Sequence, residues 1–310
     1  MIKVVDLNID NEKFEPSVIG LGNFDGIHIG HRAIMKKVIE VAKEKNIASS
    51  VLLFKQHTNE VFPKMPPYYI SSLQDKIDTL EEIGIDIAYT IDFTMEFAQS
   101  NNDEFILDFI RDHINSRYLV CGNDYTYGKR SLGTTKELLE YEKEGEIEVY
   151  LVDNTMYDLQ KASSTTIRNA ISEGDFETAT ELLTKPYKIT GKVVHGENRG
   201  AKSLGFPTAN LETEFSYIIP KDGLYITQTH VDNNIYMSIT SVGTNPTFTD
   251  EESIKIETYI LDFEQNIYGK EIQIEFIKLL RDQIKFDSSE ELIEQMKVDE
   301  KETREYFENV

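Results

Sequence analysis

The first half of the chain alternates short apolar segments with longer segments in which apolar residues recur every three or four positions. The apolar runs at 18–21 and 50–54 predict strands, and the spacing of Ile34, Val38 and Val41 predicts a helix over 31–46. The alternation continues with predicted helices at 75–83, 103–114, 136–143, 164–172 and 176–183 and predicted strands at 87–91, 118–121 and 148–152. This order predicts a parallel sheet covered by helices.

The pattern changes near Lys185 and Pro186, after which the apolar segments are shorter and are separated by Gly, Pro and Asn. These segments predict strands at 188–194, 224–231, 236–242, 255–261 and 271–280. Short strands with turn residues between them favour an antiparallel barrel or sandwich. We therefore predict two domains, residues 1–185 and residues 186–310.

A terminal helix is predicted after the last strand. Ser288 and Glu291 have the spacing of a capping box, in which each side chain bonds to the backbone N–H of the other residue. Helical spacing predicts one buried apolar stripe on this helix, consisting of Leu292, Met296, Tyr306 and Phe307.

The composition limits the classes of ligand that the chain can bind. Of its 310 residues 40% are hydrophobic, which is enough for two cores, and 32 Lys and Arg against 55 Asp and Glu give a formal net charge of −23. Because no Lys/Arg-rich run is present, we expect no binding of nucleic acid or of anionic membranes. A small anionic ligand remains compatible, since a few cations and backbone N–H groups can bind phosphate locally.

Other classes are excluded by the cysteine content and by the hydrophobic runs. The single cysteine, Cys121, cannot form an intrachain disulfide, and no Cys/His cluster has the spacing of a zinc site. The first residues do not resemble a signal peptide, and no apolar run is long enough to span a bilayer. We expect a cytoplasmic protein, and the composition does not indicate a protein partner.

The first stretch with recognisable chemistry, residues 20–31, lies between the first predicted strand and the first long helix. Gly20 and Gly22 fit a dinucleotide fingerprint, but Asp25 occupies the position of its third glycine. His28 and His31 lie three apart at the predicted helix start, where a phosphate is favoured by the helix N-terminus. We expect both histidines to face one phosphate, although two structural histidines beside a turn are the alternative.

The Gly-x-His-x-Gly-His frame around these histidines resembles that of the HxGH nucleotidyltransferases. Those enzymes join a nucleoside monophosphate from ATP to an acceptor phosphate, and the protein positions the reactants and stabilises charge. A second segment supports the resemblance, since the hydroxyls of Ser164 and Thr165 and the guanidinium of Arg168 precede or begin a predicted helix. They could hold phosphate oxygens, whereas an ordinary helix cap with a solvated arginine is the alternative.

A second group of candidates lies at the start of the second domain. Gly196, Lys202 and Ser203 match a Walker A frame, but Ala201 replaces its second glycine and Pro207 leaves no room for the required helix. We therefore predict no P-loop, although this glycine-rich loop can still cover phosphates.

Polar residues on two predicted strands complete this second group. Thr208 and Asn210 lie two apart, so on a strand they would point to one side and could hold a magnesium ion already bound to nucleotide phosphates. Glu257 lies in a strand-like run, and its carboxylate could accept a proton from a substrate hydroxyl. Each residue taken alone is more often a surface polar residue.

Both groups, in this order, resemble the bacterial bifunctional riboflavin kinase/FAD synthetase family over nearly the whole chain. The resemblance implies an α/β Rossmann-like nucleotidyltransferase domain followed by an antiparallel β-barrel kinase domain with a C-terminal helix. The matching segments are residues 22–31, the Ser-Ser-Thr-x-Ile-Arg motif at 163–168, the Gly-Phe-Pro-Thr-Ala-Asn motif at 205–210, and residues 243–248, 257–263 and 280–281.

The resemblance also implies two reactions and the residues that serve them. The barrel would phosphorylate riboflavin to FMN with Glu257 as the base, and the first domain would adenylylate FMN to FAD with His28 and His31 stabilising charge. ATP is the co-substrate, Mg²⁺ is the cofactor bound through Thr208 and Asn210, and Asp124 and Arg281 are implied flavin contacts. The remaining implied nucleotide contacts are Gly22, Asn23, Phe24, Gly30, Ser164, Thr165, Arg168, Gly196 and Lys202.

Two alternatives remain open at this point. The family usually has a Phe-x-Pro-His-Pro segment after the second strand, whereas this chain has Phe-Lys-Gln-His-Thr at 54–58. That departure is compatible with a riboflavin kinase whose first domain is weak or acts on another acceptor. A non-catalytic flavin-binding regulator is the other alternative, and the retention of His28, His31, Thr208, Asn210 and Glu257 argues against it.

Overall fold

The computed structural model describes residues 1–10, 13–56, 68–158, 160–195, 206–213, 215–245 and 253–309. The chain divides into two compact units, Met1–Ser164 and Thr165–Val310. The predicted domain boundary at 185/186 lies later in the chain and stays a prediction. Among the described residues, no helix combines the length and the apolar character that crossing a membrane would require.

The first unit is built on a six-stranded parallel sheet with strand order β1-β4-β3-β2-β5-β8. Its strands are β1 (Lys3–Asp6), β2 (Ser17–Leu21), β3 (Ala48–Phe54), β4 (Ile87–Ile91), β5 (Tyr118–Gly122) and β8 (Glu148–Val152). Two short antiparallel ladders pair β6 (Thr126–Tyr127) with β7 (Gly133–Thr134) and β9 (Met156–Tyr157) with β10 (Gln160–Lys161). Its helices are α1 (Ile29–Lys45), α2 (Leu73–Ile83), the π-helix Glu104–His113 and α3 (Thr135–Lys143).

The parallel sheet has an apolar cluster on each face, which confirms the predicted layered architecture. Side chains alternate along each strand, so Ile19 and Leu119 belong to one buried cluster while Val18 and Val120 belong to the other. The strand order reverses beside β2, because the chain runs from β2 to β3 on one side and β5 lies on the other. In open α/β sheets, ligands bind in the crevice outside the carboxyl ends of strands at such a reversal.

The second unit contains a closed barrel of six antiparallel strands with order β11-β12-β15-β14-β13-β16. These strands are β11 (Tyr187–Val194), β12 (Thr208–Glu212), β13 (Gly223–Val231), β14 (Asn234–Asn245), β15 (Ser253–Ile260) and β16 (Glu271–Arg281). Helix α4 (Ser164–Glu173) begins at the last residue of the first unit, and α5 (Phe176–Leu183) and α6 (Ser289–Glu308) belong to the second. The barrel prediction is thus confirmed, and closure removes the exposed strand edges that a sandwich would keep.

The interior of the barrel has an apolar part and a hydroxyl part. Phe176 of α5 stacks on the Phe276 ring, with the centroids 5.2 Å apart. The Thr227 hydroxyl is hydrogen-bonded to those of Ser238, at 2.7 Å, and Thr240, at 2.8 Å, and all three residues are fully buried. Because these hydroxyls bond to one another, they satisfy the requirement that buried polar groups be hydrogen-bonded.

Two expectations about the terminal helix need correction. Ser288 does accept a hydrogen bond from the Glu291 N–H, at 3.2 Å, but the Glu291 carboxylate bonds to the N–H of Asp287, so only half of the capping box forms. The predicted apolar stripe is only half-buried, and the fully buried residues of α6 are Asp299 and Thr303. The helix is held through Asp299, whose charge a hydrophobic pattern does not register.

Asp299 forms a bidentate ion pair with Arg281 at the end of β16, with nitrogen–oxygen distances of 2.9 and 2.8 Å. The Asp299 side chain is 2% exposed and that of Arg281 16% exposed. Removing one partner of a buried pair leaves an uncompensated charge and costs about 3–5 kcal/mol. We expect Asp299→Ala to lower the opening free energy of α6 and β16 by about that amount, measured by native-state hydrogen exchange.

The matched control for this prediction is Lys301→Ala. Lys301 pairs with Glu305 on the same helix, but these side chains are 76% and 56% exposed. Exposed pairs of this kind contribute little, so exchange of the same amides should stay as in the parent chain. Equal effects of Asp299→Ala and Lys301→Ala would show that the buried ion pair does not fix the helix.

Candidate active sites

The first candidate site is the loop between β2 and α1, whose backbone adopts an unusual conformation. Phe24 and Ile27 have φ values of 48° and 39°, which are costly for residues with a Cβ, and Gly26 has φ 82°. A Cβ on Gly22 would lie 2.7 Å from the Phe24 ring, so any larger residue at position 22 would displace this ring. Such strain persists where surrounding contacts hold it and is frequent at functional sites.

The loop brings the two predicted histidines together at the start of α1. His28 is the N-cap residue of the helix, and its Nδ1 accepts a hydrogen bond from the Gly30 N–H at 3.2 Å. The rings of His28 and His31 stack with centroids 3.7 Å apart, and Phe24 meets His31 edge-on at 5.2 Å. A Cβ on Gly30 would lie 3.1 Å from the His28 ring, so this glycine leaves room for the capping geometry.

The protonation of the histidines follows from their surroundings. Burial of the ring, reinforced by the charge of Lys161 and opposed by Asp25, lowers the pKa of His28 from 6.5 to about 4. Burial, with contributions from His28, Lys76 and Lys161, lowers the pKa of His31 well below 6.5. Both rings are therefore neutral at pH 7.

The hydrogen bonds of these neutral rings determine what each can offer a ligand. Because Nδ1 of His28 accepts a hydrogen bond, the proton of the neutral ring is on Nε2, which is left as a donor. Nδ1 of His31 is buried and has no hydrogen-bond partner within the described part of the chain. An unsatisfied buried nitrogen is costly in a folded protein.

Lys161, which was not predicted from the sequence, supplies positive charge at this site. It lies on β10, forms an ion pair with Asp124, and lowers the pKa of both His28 and His31. Asp124 follows the carboxyl end of β5, next to the strand-order reversal. Lys161 lies only three residues before Ser164 in the sequence, and a cation so close to a predicted phosphate site indicates a phosphate contact.

The remaining residues predicted for the nucleotidyltransferase site differ in their burial and contacts. Ser164 is the first residue of α4, and its hydroxyl donates to the Asp25 carbonyl at 3.0 Å. Thr165, in the first turn of α4, is exposed, whereas Arg168 is half-buried. Asn23 is exposed within the loop after β2.

The second candidate site lies on the barrel, where strand register aligns the predicted kinase residues. Asn210 of β12 is directly opposite Glu257 of β15, which is opposite Ser241 of β14. The row continues through Leu224 of β13 to Arg281 of β16. Because directly opposite residues on antiparallel strands share a face, this row groups residues that are far apart in sequence.

The row lies on the outer face of the barrel. Thr258 and Thr240 are register partners and are fully buried in the hydroxyl cluster inside the barrel. Side chains alternate along a strand, so the neighbouring Glu257 points to the opposite face. Thr208, Asn210 and Glu257 are all half-buried, which leaves them accessible to a ligand.

Arg281 is engaged within the protein. Besides its bidentate pair with Asp299, its third guanidinium nitrogen donates to the Asp282 carbonyl at 3.2 Å. The segment after β16 also contacts the row of paired residues, since Nε2 of Gln283 donates to the Ser241 hydroxyl at 3.1 Å. The predicted flavin contact of Arg281 therefore stays a prediction, and the structure adds that this residue ties α6 to β16.

Some predicted residues lie outside the described residues. They are Gly196 and Lys202 of the glycine-rich loop, and His57 and Thr58 of the segment that departs from the family pattern. Within the described part of the chain, no group of three or more His, Cys, Asp or Glu side chains could hold a metal ion.

Comparisons with known proteins match both units. The FAD synthetase family model matches residues 10–166 and the riboflavin kinase family model matches residues 183–307. The bifunctional riboflavin kinase/FMN adenylyltransferase of Listeria monocytogenes is 38% identical over 94% of this chain and 92% of its own, and that of Bacillus subtilis is 36% identical over 96% and 95%. The Escherichia coli protein of the same name is 30% identical over 97% and 96%.

One solved structure extends the likeness to three dimensions. A protein from Streptococcus pneumoniae described as a macrolide-efflux protein is 32% identical to this chain, and the two structures align with a TM-score of 0.89. The alignment covers 98% of this chain and 99% of that chain, so both units of the fold are shared.

Proposed function

The chain belongs to the bifunctional riboflavin kinase/FMN adenylyltransferase family, and we propose on that premise how its residues carry out the two reactions. It is an enzyme of flavin biosynthesis that contains both catalytic domains of the family. The observation that carries the assignment of roles is that the central candidates for each reaction lie together, since the His28 ring stacks on the His31 ring and Asn210 is paired with Glu257. The histidine loop lies beside the strand-order reversal, and Asn210 and Glu257 are register partners on the barrel.

In the barrel, Glu257 accepts the proton of the riboflavin 5′-hydroxyl as that oxygen attacks the γ-phosphorus of ATP. The new oxygen–phosphorus bond forms while the bond to the β-phosphate oxygen breaks, and FMN and ADP are the products. A carboxylate in this role contributes about 10²–10⁴ in rate. Because Glu257 is half-buried and opposite Asn210, the base and the nucleotide contact share one surface.

Thr208 and Asn210 provide a hydroxyl and an amide oxygen on one strand face, separated by one residue. Oxygen donors of this kind fit Mg²⁺, which is usually bound through few protein ligands together with substrate phosphates. When bound with ATP, the ion neutralises charge on the phosphates. These two residues would hold the ion together with the phosphates of ATP.

In the first domain, an FMN phosphate oxygen attacks the α-phosphorus of ATP, and the bond to the β-phosphate oxygen breaks to release pyrophosphate. His28 donates from Nε2 to the phosphate oxygens, and His31, whose ring stacks on that of His28, stabilises the developing charge beside it. Lys161 supplies the positive charge that the two neutral histidines lack. Fixed donors and cations aimed at developing charge are the main source of catalysis in such transfers.

The test supplies riboflavin with Mg-ATP and follows the products by chromatography. We expect FMN to form first and FAD to follow, and we expect FAD when FMN is the starting flavin. Chelating Mg²⁺ should stop FMN formation. If FMN forms but is never converted to FAD, the chain is a riboflavin kinase with a redirected first domain, and if no FMN forms the kinase assignment fails.

A further inference from the structure

Asp25, between the glycines and the histidines of the β2–α1 loop, is a fully buried carboxylate. Aspartate is rarely buried to this extent unless its charge is compensated. Its Oδ1 accepts hydrogen bonds from the backbone N–H groups of Ile70 and Ser71, each at 3.2 Å, and Oδ2 lies 3.3 Å from the same Ile70 nitrogen. The carboxylate therefore ties the loop to the segment that precedes α2.

Two further hydrogen bonds connect this anchor to the rest of the site. The Ser71 hydroxyl donates to Asp25 Oδ1 at 3.4 Å and accepts from the Gly26 N–H at 2.9 Å. The Ser164 hydroxyl donates to the Asp25 carbonyl at 3.0 Å. Asp25 thus connects the histidine loop to the residues before α2 and to Ser164, all within the first unit.

Strained backbone lies on both sides of Asp25. Phe24 and Ile27 have φ values of 48° and 39°, and Ile27 leads directly to His28, whose capping geometry fixes its tautomer. Backbone of this kind is retained only where neighbouring bonds over-determine it. Releasing the Asp25 anchor would let Phe24 and Ile27 relax, and the histidine rings would move with them.

We propose that Asp25 is a positioning residue for adenylyl transfer, acting through His28, His31 and Ser164 rather than touching the reactants. This inference rests on the proposed adenylyltransferase function of the first domain. A displacement of about 1 Å at a catalytic group can cost roughly 10²-fold in rate. Loss of the anchor should therefore lower the turnover number of FAD formation more than it changes the binding of FMN.

The test compares Asp25→Ala with Asp25→Asn, using FAD formation from FMN. An asparagine keeps an oxygen that can accept the Ile70 and Ser71 hydrogen bonds, whereas alanine keeps none. We expect Asp25→Ala to lower kcat about 100-fold with KM for FMN changed less than about 3-fold, and Asp25→Asn to recover to within about 10-fold of the parent chain. Riboflavin phosphorylation by the barrel should stay within about twofold in both variants and reports on the rest of the chain.

The neighbouring serines supply a second, milder comparison. Ser71→Ala removes the bond to the Gly26 N–H, whereas Ser72→Ala removes the N-cap of α2 and leaves the loop contacts in place. We expect about a 10-fold fall in kcat for Ser71→Ala and less than a twofold change for Ser72→Ala. This pair decides the question if Asp25→Ala does not fold.

The outcomes separate the inference from the function on which it rests. Failure of the parent chain to make FAD from FMN would remove the adenylyltransferase assignment itself. FAD formation by Asp25→Ala within threefold of the parent, or equal losses in Ser71→Ala and Ser72→Ala, would overturn the positioning role while leaving that assignment intact. A rise in KM for FMN in Asp25→Ala without a change in kcat would also overturn the positioning role, since it would mark Asp25 as a binding residue.

Discussion

Glu257→Gln should reduce FMN formation from riboflavin by about 10²–10⁴, because glutamine keeps the shape of the side chain but cannot accept the hydroxyl proton. The register of β12, β15 and β14 should persist, since the outward-facing side chain of Glu257 is half-buried and the strand pairing is made by backbone groups. The loss should therefore appear in kcat for riboflavin phosphorylation, measured at saturating Mg-ATP. Mg-ATP affinity should be preserved, because Thr208 and Asn210 are intact.

The same chain provides two controls for this experiment. FAD formation from FMN in the Glu257→Gln variant should equal that of the parent chain, because the first domain makes this conversion. Glu212→Gln alters an exposed carboxylate at the end of β12, on a strand that also carries Asn210, and should leave both reactions unchanged. FMN formation at the parent rate in Glu257→Gln would remove the base role and return the non-catalytic alternative to consideration.

The fold could be predicted because each domain has a hydrophobic period of its own. Alternation of strands and helical stripes predicted the parallel sheet, and the bounds of β4, β8 and α5 agree with the predicted ranges. The strand β1 was missed because Lys3–Asp6 is a four-residue edge strand whose partner β4 lies far along the chain. Closure of the barrel likewise depends on the pairing of β11 with β16, which a local pattern does not contain.

Candidate residues could be grouped from the sequence where they are close together in the chain, and not where one of them depends on a distant partner. The His28–His31 and Thr208–Asn210 spacings are within one turn or one strand, so sequence places each pair on one element. Lys161 and Asp299 act through residues that only folding brings near them. The error on α6 has the same origin, because Asp299 is buried by its pairing with Arg281, and hydrophobicity assigns every aspartate to solvent.

Adenylyl transfer can be tested with two variants of His28, because this residue has a structural role as a helix cap and a chemical role as a hydrogen-bond donor. The two variants remove these roles differently. Asparagine is a good N-cap residue, so His28→Asn can keep the hydrogen bond from the start of α1 while it removes the Nε2 donor. His28→Ala removes both. We expect FAD formation from FMN to fall about 10²–10³-fold in each variant, as for loss of one donor to developing charge.

The free energy of unfolding should distinguish His28→Asn from His28→Ala, although both variants lose FAD formation to the same extent. His28→Ala should lower the unfolding free energy by about 1 kcal/mol through loss of the cap, and His28→Asn should leave it nearly unchanged. His113→Asn, at an exposed histidine ending the π-helix of the same unit, should preserve both FAD formation and stability. Because the His28 ring is neutral at pH 7, with a pKa of about 4, the loss reflects a neutral donor rather than a cation. If His28→Asn makes FAD at the parent rate, the histidine is only a helix cap, and Lys161 and His31 must stabilise the charge without it.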